Sequence, residues 1–219
     1  MYKIAYIPLD ERPCNYYFPS LLTEWNGDSS SHGEVNIVKP PLSLMGNKKT
    51  SGNKEGIWEW LYDEASESDG LILSIDTLLY GGIIPSRLHH ITLDECRSAL
   101  AGLARIKEIN PDVKIYAFNL IMRCPKYSSS DEEPDYYADW GSEIFQYGKL
   151  QHLILANLVS EEDQKQHENL AKQLPHEVID DYLSRRKINV EVNKLVLEYV
   201  ENGMIDSLII PQDDSAPYG

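Results

Sequence analysis

Acidic and cationic side chains follow four apolar, β-branched segments of the chain, at the points where those segments end. The groups are Asp10-Glu11-Arg12 after the first, Asp76 after the second, Arg123 after the third and Gln212-Asp213-Asp214 after the fourth. Carboxylates can transfer protons or bind a hard cation, and guanidinium groups can hold an anionic or hydroxyl-rich substrate. The pattern therefore predicts acid–base or metal chemistry on a small polar molecule.

The apolar segments themselves predict the elements that would bring these groups together. They cover residues 3–9, 70–75, 113–122 and 207–211, and a fifth segment covers residues 34–39. Nearly continuous apolar strands are typical of a parallel sheet that is buried on both faces. Because the carboxyl ends of parallel strands lie along one edge of a sheet, the polar groups are expected to meet there.

The predicted fold is α/β: a five-stranded, mainly parallel sheet flanked by helices. Helical patterns cover residues 16–25 and 93–109, and another helix is predicted to begin at residue 57. Residues 135–203 have a helical pattern almost throughout. That last stretch is too long for one crossover helix, so it predicts a helical insertion between strands four and five. The first part of a (β/α)₈ barrel is the alternative, because both folds share the βα rhythm. Strand one lying between two other strands would exclude the barrel.

The composition limits the functions that the chain could have. Its 219 residues suit one α/β domain, with 20 basic and 35 acidic residues giving a net charge of −15. Such a charge repels phosphate backbones, so nucleic-acid binding is disfavoured. No signal segment precedes the first strand, no apolar run is long enough for a bilayer, and the three cysteines lack zinc-site spacing. We expect a reduced, cytoplasmic protein without a membrane partner.

Each candidate group also has a structural interpretation. Asp10 and Arg12 could form an ion pair that caps the following helix. Asp76 could begin a helix that ends at the glycine pair 81–82, instead of lying in an exposed elbow. Asp213 and Asp214 could shift each other's pKa so that one stays protonated near neutral pH, share a divalent cation, or lie in an exposed turn.

The sequence nevertheless assigns a role to each candidate. The catalytic candidates are Asp10, Glu11, Asp76, Asp213 and Asp214, and the substrate-binding candidates are Arg12, Asn15, Tyr80, Arg123 and Gln212. We expect the arginines to offset the carboxylates without a cofactor; Mg²⁺ or Mn²⁺ is the alternative, since oxygen ligands select hard cations. Cys124 has no histidine base near it in the pattern, so a buried thiol is expected there.

These groups favour an enzyme, a hydrolase or lyase that acts on a small polyhydroxylated or sugar-like substrate. Two carboxylates about 5–10 Å apart across a cleft would suit glycoside hydrolysis. A non-catalytic sugar- or metabolite-binding module is the second hypothesis. An acidic scaffold whose helical insertion binds a protein partner is the third. The sequence does not indicate an oligomeric state.

Several segments of the chain resemble a bacterial family, domain-of-unknown-function family 4127. The similar segments are residues 6–15, 76–82, 131–137 and 212–219, with the sequences YIPLDERPCN, DTLLYGG, DEEPDYY and QDDSAPYG. These long motifs recur in order, so the resemblance runs from the first strand to the last residue. Members of the family are longer, which implies that this chain is an N-terminal portion. The resemblance brings no established activity and leaves the chemistry open.

Overall fold

Five parallel strands form a single sheet in a computed structural model, which describes residues 1–25 and 35–213. They are β1 (Tyr2–Ile7), β2 (Val35–Val38), β3 (Gly70–Ser74), β4 (Lys114–Phe118) and β5 (Ser207–Ile209), in the order β2-β1-β3-β4-β5. Because β1 lies between β2 and β3, the sheet is open and doubly wound. The α/β prediction is confirmed, and the barrel alternative is wrong.

Nine α-helices connect these strands within the described residues. They are α1 (Pro13–Tyr16), α2 (Phe18–Trp25), α3 (Lys54–Ala65), α4 (Ile75–Tyr80), α5 (Leu93–Leu100), α6 (Gly102–Ile109), α7 (Tyr137–Leu155), α8 (Glu161–Gln173) and α9 (His176–Glu201). The last three form the helical insertion between β4 and β5, as predicted. No described helix combines the length and apolar character needed to cross a membrane.

The strands present alternate side chains to two faces of the sheet, and the two faces are covered differently. One face carries the buried side chains of β1, β3 and β4 that pack against α3, α5, α6 and α9: Ala5, Ile7, Leu71, Leu73, Ile115 and Ala117. On the other face the Tyr6 hydroxyl donates a hydrogen bond to the carbonyl of Asn15, at the start of α1. The crossover from β1 to β2 therefore lies on the opposite face of the sheet from the crossovers that follow β3 and β4. Right-handed connections require this arrangement.

The second face is only partly covered by the described residues. Tyr116 on β4 is 44% exposed and Ile209 on β5 is 66% exposed. The register pairs Tyr116 with Ile72 of β3, whose side chain is half-buried. The apolar strands predict that the sheet is buried on both faces. This prediction holds better for β1 and β3 than for β4 and β5.

Helix α4 decides between the two interpretations of the segment after β3. Ser74 is its N-cap, with a hydroxyl that accepts the Thr77 N–H at 3.1 Å, and the helix ends at Gly81, where φ is +84°. Of the two alternatives, the structure shows the helix followed by a glycine turn, but Ser74 rather than Asp76 provides the cap. Glycine suits this end because the left-handed conformation strains residues that have a Cβ atom.

Candidate functional site

A cavity of about 290 Å³ with several charged side chains in its lining opens at the carboxyl edge of the sheet. Its walls come from the segment after β1, the loop after β2, the turn after α4 and the loop after β4, and they include Asp10, Glu11, Arg12, Lys48, Gly82 and Glu132. The crossovers from β1 and β3 depart to opposite faces beside it. Open α/β sheets bind ligands at such a switch point, so we call this space the switch-point cavity.

Asp10 is almost completely buried in the wall of the switch-point cavity and is fully hydrogen-bonded. It accepts bonds from the Arg12 side chain at 2.6 Å, from the Arg12 backbone N–H at 3.0 Å and from the Asn15 amide at 2.6 Å. The bond to Asp10 raises the pKa of Arg12. Asp10 and Asn15 therefore hold the turn before α1 in shape, and their bonds match the ion-pair interpretation.

Glu11 fixes the loop after β2 at the cavity. Its Oε1 atom accepts the backbone N–H of Lys48 at 2.9 Å, and Lys48 has a φ of +50°. The ammonium group of Lys48 lies 3.4 Å from Asp131, in the loop after β4, and that of Lys49 lies 2.9 Å from Asp135. Two exposed ion pairs thus connect these loops, both of which line the cavity.

Thr77 joins the end of β1 to the start of α4. Its buried hydroxyl lies 2.6 Å from the carbonyl oxygen of Pro8 and 2.9 Å from that of Leu9. One hydroxyl hydrogen serves both acceptors. The Asp10 turn and helix α4 are therefore held in a fixed relation by a side chain that the sequence did not single out.

Replacing Thr77 with valine, which has the same shape, should lower the free energy of unfolding by about 1–3 kcal/mol. The reason is that two buried carbonyl groups lose their donor. Urea unfolding measures the change, with Thr50→Val as the control because the Thr50 side chain is exposed. A loss no greater than in that control would contradict the proposed role of the hydroxyl.

A partly buried group of charges, the arginine cluster, adjoins the cavity through Glu132. It contains Arg87, Arg123, Glu132, Glu133 and Asp213. Arg87, only 3% exposed, bonds to Glu132 at 3.2 Å, to Glu133 at 3.1 Å and to Asp213 at 2.8 Å. Arg123 bonds to Glu132 and Glu133, each at 3.1 Å. Burial raises the pKa of Glu133, although the charges of both arginines oppose the shift.

Asp76 lies beneath the edge of the sheet and outside the lining of the cavity. It is 2% exposed, and its Oδ2 atom accepts the Leu120 N–H at 3.0 Å and the Asn119 amide at 3.3 Å. Burial raises the pKa of Asp76 to about 6, while these hydrogen bonds act in the opposite direction. Asp76 thus joins the first turn of α4 to the segment after β4. The β4 ladder ends at Phe118, earlier than predicted, as this segment turns to Asp76.

The remaining candidates lie apart from the cavity. Tyr80 is buried in the core and stacks on His89, with ring centroids 4.4 Å apart. Gln212 is exposed and continues the strand pairing beside Ile121. Asp214 lies outside the described residues. The structure therefore brings Asp10, Glu11 and Arg12 to the cavity and places Arg123 and Asp213 in the adjoining arginine cluster, whereas Asn15, Asp76, Tyr80 and Gln212 do not line the cavity.

The family model for proteins of unknown function DUF4127 matches residues 4–219. The chain belongs to this family. The match includes every residue of the switch-point cavity and of the arginine cluster, and it confirms the resemblance seen in the sequence motifs. No curated protein matches the chain.

Across residues 1–25 and 35–213 of this DUF4127 protein, no three histidine, cysteine, aspartate or glutamate side chains are arranged to hold a metal ion. The carboxylates of the arginine cluster are bonded to guanidinium groups instead. Oxygen atoms that accept bonds from arginine are poorly placed to ligate a cation as well.

Sequence patterns alone did not indicate that Arg87, Lys48 and the pair Glu132-Glu133 belong to the site. The glutamates stand in a polar loop directly after strand four, which is where a functional group would be sought. Arg87 is a single cation in the otherwise uncharged stretch 77–88. An isolated charge in such a stretch is a signal for a buried ion pair.

Proposed function

We propose that this DUF4127 chain is an enzyme, a hydrolase or lyase, and that it acts on a small polyhydroxylated, sugar-like molecule bound in the switch-point cavity. The observation that carries the proposal is that Glu11 and Arg12, from the segment after β1, meet Glu132, from the loop after β4, at one cavity. A volume of about 290 Å³ is near the lower end of the range of about 300–1,000 Å³ for ligand sites. It suits a molecule of the size of one sugar ring.

Glu132 is the group that we assign as proton acceptor. Arg87 and Arg123 both bond to its Oε2 atom, and among the described residues its Oε1 atom has no hydrogen-bond partner. An ionised carboxylate at the cavity wall can take a proton from a substrate hydroxyl, from a carbon acid or from water. The same chemistry serves hydrolysis and elimination, so the reaction type follows from the substrate.

Arg12 and Glu11 are the groups that we assign to substrate binding. Arg12 uses Nε and Nη2 for Asp10, and among the described residues its Nη1 atom has no hydrogen-bond partner. That atom supplies donors for a hydroxyl or carboxylate of the substrate, and Glu11 supplies an acceptor. Hydroxyl-rich molecules need both, because each hydroxyl donates and accepts.

Glu132→Gln is expected to lower the turnover of the cognate substrate by about 100-fold or more, because the amide cannot accept a proton. Binding measured by calorimetry should change little, since the amide oxygen still accepts hydrogen bonds. The substrate is sought by assaying the chain against a library of sugars and sugar acids. Glu59→Gln, an exposed position on α3, is the matched control. Turnover that survives in Glu132→Gln would refute the assignment of Glu132.

A non-catalytic binding module is the second candidate, and the bonding of Asp10 favours it. Asp10 accepts three hydrogen bonds from its own turn, so it has little capacity left for proton transfer. The module predicts that a sugar or sugar acid binds without turnover. Binding without turnover by the original chain and by Glu132→Gln alike distinguishes this outcome from the enzyme.

We further propose that the protein works in the cytoplasm without nucleic-acid or membrane partners. Cys14, Cys96 and Cys124 are free thiols, as expected in a reducing compartment. The net charge of −15 opposes contact with anionic polymers and anionic lipid. Recovery of the native protein in a membrane fraction would contradict this placement.

A further inference from the structure

The helical insertion contains a second cavity, which is separate from the switch-point cavity. It has a volume of about 360 Å³ and lies between α7, the end of α8 and α9. Ile144, Leu174, Ile179 and Leu183 give it a mainly apolar wall. We propose that this insertion cavity binds an amphipathic anion, a molecule with one apolar tail and a carboxylate or phosphate head.

The charge of the cavity lining is opposite to that of the chain. The protein carries 35 acidic and 20 basic residues, yet the lining contains no aspartate or glutamate. Its ionisable nitrogen groups belong to Lys149, His152 and Arg186. A cationic lining in a strongly acidic protein selects an anionic ligand by charge complementarity.

Arg186 supplies a fixed positive charge at the cavity wall. Its guanidinium donates to the carbonyl of Met122 at 3.0 Å, to the carbonyl of Arg123 at 2.8 Å and to the Tyr182 hydroxyl at 2.7 Å. All three acceptors are neutral, and within the described part of the chain Arg186 forms no ion pair. These bonds orient the guanidinium group without neutralising its charge. The anionic head of a ligand would provide the missing counter-charge.

Gly148 lies at the exposed rim of the cavity, in the middle of α7. A Cβ atom at this position would have no neighbour within 4 Å, so packing does not explain the glycine. Gly141 in the same helix differs, since a Cβ there would lie 2.5 Å from the carbonyl oxygen of Tyr127. Glycine is unfavourable inside a helix, and at position 148 its effect is to leave the space beside the cavity empty. The inference is independent of the function proposed for the sheet edge.

The experiment compares decanoate, decyl phosphate and the uncharged decanol by displacement of a fluorescent dansylated fatty acid from the 219-residue chain. Decanoate or decyl phosphate is expected to bind at least ten-fold more tightly than decanol, and the tighter of the two identifies the head group. Gly148→Phe should weaken binding at least ten-fold, because a phenyl ring at the rim obstructs the opening of the cavity. Gly148→Ala, which leaves it open, should bind as the original chain does.

Charge variants test the role of the cationic lining. Lys149→Gln and His152→Gln should each weaken binding of the anion and leave that of decanol unchanged. Lys172→Gln, at an exposed position on α8 outside the cavity, should alter neither. Circular dichroism verifies that each variant is folded. Equal affinity for decanol and the anions, no displacement at millimolar ligand, or undiminished binding by folded Gly148→Phe would each overturn the proposal.

Discussion

Replacing Arg87 with methionine is expected to lower the free energy of unfolding by about 3–5 kcal/mol, because removing one partner of a buried ion pair leaves the other charge unpaired. Arg87 is the common partner of Glu132, Glu133 and Asp213. Arg123 would remain to offset Glu132 and Glu133, but Asp213 would lose its bond of 2.8 Å to a cation. Urea unfolding at neutral pH measures the loss.

Two further variants separate this effect from the loss of a large side chain. Arg97→Met changes an exposed arginine on α5 and should alter stability by less than about 0.5 kcal/mol. Adding Glu133→Gln and Asp213→Asn to Arg87→Met should restore much of the loss, because the unpaired charges are removed together. A triple variant as unstable as the sum of its separate changes would contradict the charge explanation.

Asp76→Asn is expected to change the pH dependence of stability by about 2–3 kcal/mol between pH 4 and pH 7. Burial raises the pKa of Asp76 from its ordinary value of 3.8 to about 6 in the folded chain, and each pKa unit corresponds to about 1.4 kcal/mol. A carboxyl with a raised folded pKa favours folding below its unfolded pKa. That contribution is lost as the pH rises through the folded pKa.

The original chain should therefore exceed Asp76→Asn in stability by more at pH 4 than at pH 7. Urea unfolding of both proteins across this pH interval gives the difference in stability directly. The contributions of the other carboxyl groups cancel in this comparison. Asp112→Asn, at an exposed position before β4, provides the control with a small and constant difference. A pH-independent difference for Asp76→Asn would show that Asp76 titrates normally.

Much of the fold could be predicted because its elements depend on local patterns. The apolar strands and the amphipathic helices repeat along the chain, and the length of residues 135–203 alone indicated an insertion. Strand order does not depend on local patterns, because the sequence of residues 3–9 does not indicate which strands lie on either side of β1. The division of the predicted helix 93–109 at Ala101, between α5 and α6, also depends on tertiary packing against α3.

The candidate site could be predicted where one short segment contains the partners. Asp10, Arg12 and Asn15 are within five residues of each other and bond together. The arginine cluster was missed because its bonds join distant residues; Arg87 and Asp213 are 126 positions apart. Such pairs arise only when the sheet brings β3, β4 and β5 together, so periodicity cannot reveal them.

The loops around the switch-point cavity are held by two kinds of contact with different sensitivity to ionic strength. Buried bonds from Thr77 and Asp76 fix the strand ends. By contrast, the Lys48–Asp131 and Lys49–Asp135 pairs that join the two loops are largely exposed. Exposed pairs contribute about 0.2–1 kcal/mol and weaken as salt screens them. Added salt would therefore loosen the connection between these two loops and speed the exchange of a ligand, while the strand ends stay fixed.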